Sequence, residues 1–81
     1  MPLSRKETFI KKVGANVRRI RTAQGMSQER LAELVDLNVR NIQRIEAGQI
    51  TILISTAKRL RDAMKCSWDE LFGERATDDN R

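Results

Sequence analysis

The chain has 81 residues, 16 of them Lys or Arg against 11 Asp or Glu for a formal net charge of +5, with 40% apolar residues, no His, no Tyr and one Cys. A domain of this size buries only roughly 60% of the surface its unfolded chain exposes, so residues 1–81 make one domain at most, and a partner subunit is a natural source of further burial. One cysteine closes no intramolecular disulfide, the lack of His removes the usual zinc shells, and no apolar run approaches the about 20 residues of a spanning helix; a soluble cytoplasmic protein with no metal, cofactor or membrane segment is expected.

In chain order, nearly every segment follows a helical repeat and none of any length alternates, so the predicted fold class is all-α. Ser4 and Glu7 make a capping box, and Phe9, Ile10, Val13, Val17 and Ile20 share one stripe of a helix over about residues 5–24, which Gly25 ends. The charge is concentrated here: residues 1–25 hold seven basic side chains against the single acid Glu7, and the rest of the chain is close to balanced. A basic segment on a balanced domain points to a polyanionic partner, either nucleic acid or an anionic membrane surface. Gly14, inside the helix, costs on the order of 1 kcal/mol against Ala, and the close approach of another helix would explain it.

Ser27 is a good N-cap for a second, short helix to about Val35, with Glu29 in its first turn and Leu31, Leu34 and Val35 apolar. Only Asp36 and Leu37 separate it from Asn38, the cap of a third helix that carries Val39, Ile42 and Ile45 as far as Gly48. An apolar, β-branched patch follows. Ile54, Ala57, Leu60 and Met64 then read as a fourth helix, with Thr51 or Ser55 as its cap. Ser67 and Glu70 form a second capping box before a fifth helix bearing Trp68, Leu71 and Phe72, and a polar tail covers residues 73–81, leaving an ordered core of about residues 5–72.

The stretch from Ser27 to Gly48 carries the chemistry. With Ile42 and Ile45 turned inward, Arg40, Gln43, Arg44 and Ala47 gather on the opposite face of the third helix, and Val39 and Glu46 lie on its flanks. Arg pairs bidentately with O6 and N7 of guanine and Gln with N6 and N7 of adenine, so this face suits direct readout of base edges. Arg40 sits in a first turn, where the helix dipole disfavours a cation; a phosphate or a base-edge acceptor accounts for its placement. Ser27 and Gln28 open the second helix, where free backbone N–H groups and a side-chain amide suit a phosphate.

These residues resemble the Cro and phage-repressor type of helix-turn-helix regulator, the XRE-like family, over about residues 9–72. The likeness rests on Arg18-Arg19-Ile20-Arg21, Gly25, Ser27-Gln28-Glu29 with Leu31-Ala32, Ile42, Arg44-Ile45-Glu46, Gly48, and Ser67 through Phe72. It implies a compact five-helix, lambda-repressor-like DNA-binding domain with the helix-turn-helix at helices two and three and the third helix in the major groove. Base-reading positions then fall on Val39, Arg40, Gln43 and Arg44. Gln28, Asn38, Asn41 and Gln49 become DNA-backbone contacts, joined by Ser27 and by Arg18 of the basic first helix. The family also suggests an ion pair between Arg21 and Glu46, and the helical wheel independently places both at the core margin. Three positions depart from the pattern: Asp36 stands where the turn commonly has Gly, Ile52 and Leu53 replace a Pro and a hydroxyl cap, and Lys65 replaces a helix-ending Gly.

Ile50, Ile52, Leu53, Trp68, Leu71 and Phe72 exceed what one small core needs, and contiguous apolar surface marks an interface. A homodimer through this half is expected, with two recognition helices about 34 Å apart on a pseudo-palindromic operator. Enzyme chemistry has no constellation here, and Cys66 packs as a small hydrophobe. A membrane-surface helix or a protein-only adaptor leaves the Arg-bearing face of the third helix without a role. The expected partners are double-stranded DNA and a second copy, with RNA polymerase or a toxin as further candidates and no small-molecule ligand. A restriction-modification controller or an antitoxin that binds its own promoter fits the same residues.

Overall fold

The computed structural model describes residues 2–73. Among them lie five helices, α1 (Arg5–Ala23), α2 (Gln28–Val35), α3 (Val39–Glu46), α4 (Ile54–Met64) and α5 (Trp68–Phe72). The polar tail expected from Gly73 lies, past that residue, outside the described residues.

Four of the five helices start on a side-chain cap. Ser4, Ser27, Asn38 and Ser67 each accept the amide N–H three residues on, and Ser4 and Ser67 complete reciprocal capping boxes with Glu7 and Glu70. The Ser4 and Ser67 backbone N–H groups, donating to the Glu7 and Glu70 carboxylates, hold both below the usual carboxylate range. The exception is α4. Neither Thr51 nor Ser55 caps it: its N-cap is Leu53, in extended conformation and without a side-chain hydrogen bond. Ile50 and Ile52 pack against the core and fix where the helix begins, which puts Ser55 inside its first turn.

The first four helices end alike, with one left-handed residue and a backbone bond closing back over five positions. Met26 N–H donates to Arg21 O, Leu37 to Ala32, Gln49 to Arg44 and Cys66 to Arg61, at 3.1, 2.9, 3.0 and 3.2 Å. The left-handed residue is Gly25 and Gly48 in two cases, but Asp36 (φ 58°) and Lys65 (φ 53°) in the others. The two departures from the family's glycines therefore keep the glycine geometry, at a steric cost.

The core joins Val13, Val17 and Ile20 of α1 to Leu31, Ala32 and Val35 of α2, Ile42 and Ile45 of α3, Ala57, Leu60 and Met64 of α4, Cys66, and Leu71 of α5. Burial pushes the Cys66 thiol up, as expected of a packed hydrophobe. Four residues of the expected apolar faces are exposed outside this core: Phe9, Leu34, Ile54 and Trp68. Phe9 precedes the part of α1 that packs on α3, and its ring lies 6.0 Å from that of Phe72 instead.

Gly14 explains how α1 and α3 meet. A Cβ there would overlap the carbonyl oxygen of Ile45 and stand 3.0 Å from that of Glu46, so no side chain fits. The missing methyl lets α1 pass directly over the end of α3 and fixes the tilt of that helix.

Candidate nucleic-acid interface

The turn between α2 and α3 is short because Asp36 reverses the chain in the left-handed region and Asn38 restarts it as a cap. Its consequence is that α3 lies across α2 with Ile42 and Ile45 driven inward, at 0% and 2% exposure. Arg40, Gln43, Arg44 and Ala47 are all exposed on the other side. They form two shallow polar clefts: Arg40, Gln43, Arg44, Ala47 and Gln49 line one, and Arg18, Gln28, Gln43 and Ala47 surround the other above Arg21 and Glu46. The first turn of α3 holds no acid. Its free N–H groups and Arg40 therefore add their positive potential on one side of the molecule.

Beneath this face lies a fully connected ion pair. Arg21 Nε donates to Glu46 Oε2 at 2.6 Å and Nη2 to Oε1 at 3.0 Å, with the side chains 10% and 4% exposed. The third nitrogen, Nη1, donates to the carbonyl of Met26 at 2.7 Å, tying in the loop that leads to α2. Hydrogen bonding to Glu46 pushes the Arg21 guanidinium up from its ordinary value, so it stays charged at any pH the fold tolerates. Glu46 thereby anchors α3 to α1 at a point one residue from Ala47 on the outer face.

The remaining expected contacts fall into three kinds. Arg18 and Gln49 are exposed at the rims of the clefts. Ser27 and Asn38 already accept the Arg30 and Asn41 amides as caps, so what they present outward is the start of a helix, and Asn41 is half-buried. Gln28 is committed differently: its amide donates to Glu46 Oε1 at 3.0 Å. It braces the ion pair, and its carbonyl and second N–H remain for the cleft. Val39 is half-buried and leans on the core.

The expected dimer residues separate in the same way. Leu71 has to be removed from that set: it is 0% exposed and closes the monomer core, because the turn of α5 that carries it packs down on α1. Ile50, Ile52 and Phe72 are half-buried, Trp68 is 38% exposed and stacks on Phe72 at 5.4 Å, and Leu53 and its neighbour Ile54 stand out at 71% and 87%. An apolar groove of about 270 Å³ runs between Phe9, Ile10, Ile50, Ile52, Ile54 and Phe72. Arg61 lies over the Trp68 ring at 5.1 Å.

Two positioning residues had no place in the sequence reading. Asn16 is 3% exposed and donates to the carbonyls of Leu71 and Gly73, while Gln24 donates to Met64 O at 2.6 Å and closes the end of α4. Asn16 was detectable: it sits three residues from Val13 and four from Ile20 on the apolar stripe, and a buried amide needs partners. Gln24, in a loop, gives no such signal.

No group of metal-ligating side chains and no helix long and apolar enough to cross a membrane occurs among the described residues. Comparison with curated protein sequences returns no significant match. Among solved structures, the restriction-modification controller protein C.AhdI from Aeromonas hydrophila is similar at 35% identity over 78% of this chain and 96% of that one, with a TM-score of 0.74. The clp gene regulator ClgR from Corynebacterium glutamicum superposes with a TM-score of 0.79 at 21% identity, over 93% of this chain and 74% of that one. An HTH_3 family regulator from Vibrio cholerae, of which the match covers 38%, gives 0.77 at 19% identity over 83% of this chain. The HTH_3 helix-turn-helix family model matches residues 17–71, which takes in every element from the middle of α1 to α5. The chain belongs to the HTH_3, XRE-type family of helix-turn-helix proteins and is a DNA-binding transcriptional regulator, not an enzyme.

Proposed function

We propose that the protein is a cytoplasmic regulator that binds a pseudo-palindromic operator as a homodimer, with α3 in the major groove. The observation that carries this reading is the clean division of α3: Ile42 and Ile45 are buried, and Arg40, Gln43 and Arg44 are exposed with no ion-pair partner among the described residues. Arg40 and Arg44 read guanines, Gln43 reads an adjacent base, Val39 meets a base edge from the flank, and Arg18, Gln49 and the starts of α2 and α3 hold phosphates. The exposed Leu53 and Ile54 beside the apolar groove support pairing through the α3–α4 loop and α5. The protein's extents of 35 × 28 × 21 Å also suit two side-by-side copies with recognition helices about 34 Å apart.

The likeness to C.AhdI favours control of a restriction-modification operon by occupancy of promoter DNA or by contact with polymerase. An antitoxin is the second reading, favoured by the same groove, which a toxin segment would fill.

The test is selection of bound sites from randomised duplexes, followed by Arg40→Ala and Arg44→Ala. Each variant is expected to lose about 1–3 kcal/mol on the selected site and to relax preference at one base position, with little loss on random DNA. Equal losses on both DNAs would remove the base-reading role.

A further inference from the structure

We propose that Lys11, in the part of α1 that precedes the family match, is a DNA-phosphate contact that prolongs the recognition face along the flanking strand. This rests on the reading of α3 as the DNA-facing helix. Lys11 and Arg18 are seven residues apart, which on a helix is two turns, nearly the same direction and about 10.5 Å of rise. Both are exposed, as is the small Ala15 between them, so they form one open basic stripe. Arg18 places that stripe, because it lines a cleft with Gln43 and Ala47 of the outer face of α3.

The other end of the stripe is fixed by Gly48, the residue after Ala47. It lies at φ +70°, and a Cβ on it would stand 2.6 Å from Cγ and 2.8 Å from Cα of Lys11. The start of the lysine stem therefore packs against Gly48 at the exit of α3, one residue from Gln49, which lines the neighbouring cleft with Arg40 and Arg44. Glu7, the acid one turn back, accepts the Ser4 N–H at 2.9 Å and also feels the Lys11 charge, but this pair is on the open surface where water screens it. A fixed stem with an exposed cation at the rim of a polar face is the arrangement that holds a backbone phosphate and carries no base preference.

The experiment is a salt titration of the full chain on a mixed-sequence duplex, followed by fluorescence anisotropy, for the wild type, Lys11→Met, Lys11→Arg, Arg18→Met and Lys58→Met. Methionine keeps the stem over Gly48 and removes only the charge. Lys58, on α4 and paired with Asp62, is the control. Lys11→Met is expected to lower the slope of log affinity against log salt by about 0.9 per bound chain, as Arg18→Met does, while Lys11→Arg and Lys58→Met leave it unchanged. If Lys11→Met behaves like Lys58→Met while Arg18→Met lowers the slope, the contact is overturned and Lys11 serves only the end of α3. If the wild type binds without salt dependence, the DNA-facing reading itself falls, and this contact with it.

Discussion

At the α2–α3 turn, Asn38 caps the incoming helix and every apolar side chain of α3 is at least half-buried; at the α3–α4 junction, Leu53 occupies the cap position without a hydrogen bond, and Leu53 and Ile54 face solvent. The first junction meets its hydrogen-bonding needs inside one chain, and the face of α3 that follows it exposes Arg40, Gln43 and Arg44. The second leaves apolar surface uncovered. A surface that is satisfied internally except for cations suits a polyanion, and one that is unsatisfied in apolar area suits a protein. Two kinds of surface, one polar and cationic and one apolar, are thus separated on two parts of a very small molecule.

The sharpest way to break the first region is to strand its buried guanidinium. Glu46→Ala is expected to cost about 3–5 kcal/mol and to lower the melting temperature by roughly 12 °C or more, measured calorimetrically. A loss below about 1 kcal/mol would show that Arg21 finds water instead, and that the two regions are less distinct than the geometry implies. Gly14→Ala acts on the seat of the same helix, where α1 crosses the end of α3, through packing alone. It should cost about 1–3 kcal/mol in denaturant titration and weaken operator binding by shifting α3.

In the second region, Leu53→Lys with Ile54→Lys should leave the unfolding free energy of dilute protein within about 0.5 kcal/mol of the wild type. Sedimentation should show a monomer at concentrations where the wild type pairs; an unchanged dimer would move the interface elsewhere. The smallest effect is that of the two capping boxes. Glu7 and Glu70 have depressed pKa values, so their contribution is complete above the usual carboxylate range and is lost as pH falls through those depressed values. Melting temperature followed from neutrality to about pH 3 should fall less steeply in Glu7→Gln with Glu70→Gln than in the wild type.

How much of this was legible in the residues follows the same division. Ser4, Ser27, Asn38 and Ser67 announce their helices because a cap is a local bond between residues three apart, and Gly14 announces a close approach because nothing local explains it. The start of α4 is not legible locally, because Thr51 and Ser55 have the right chemistry for a cap but the partial burial of Ile50 and Ile52, a tertiary fact, sets the register. For Trp68 and Leu71 the residues allow either closure of the monomer core or an interface, because a five-residue helix shows too little periodicity to separate its inner from its outer side; Leu71 takes the first and Trp68 stays exposed. In the site, Arg40, Gln43 and Arg44 were legible from the wheel, whereas the turn of Gln28 toward Glu46 depends on how α2 and α3 cross.

Asn16 has a consequence for the order of folding. A helix of five residues cannot nucleate itself in water, and α5 is held to α1 by the Asn16 bonds to Leu71 and Gly73, across 55 and 57 residues of chain. The helix formed last in sequence therefore depends on the one formed first, and a loop of nearly the whole described chain has to close before α5 is stable. The two Asn16 bonds thus tie the first and last helices of the described chain to each other.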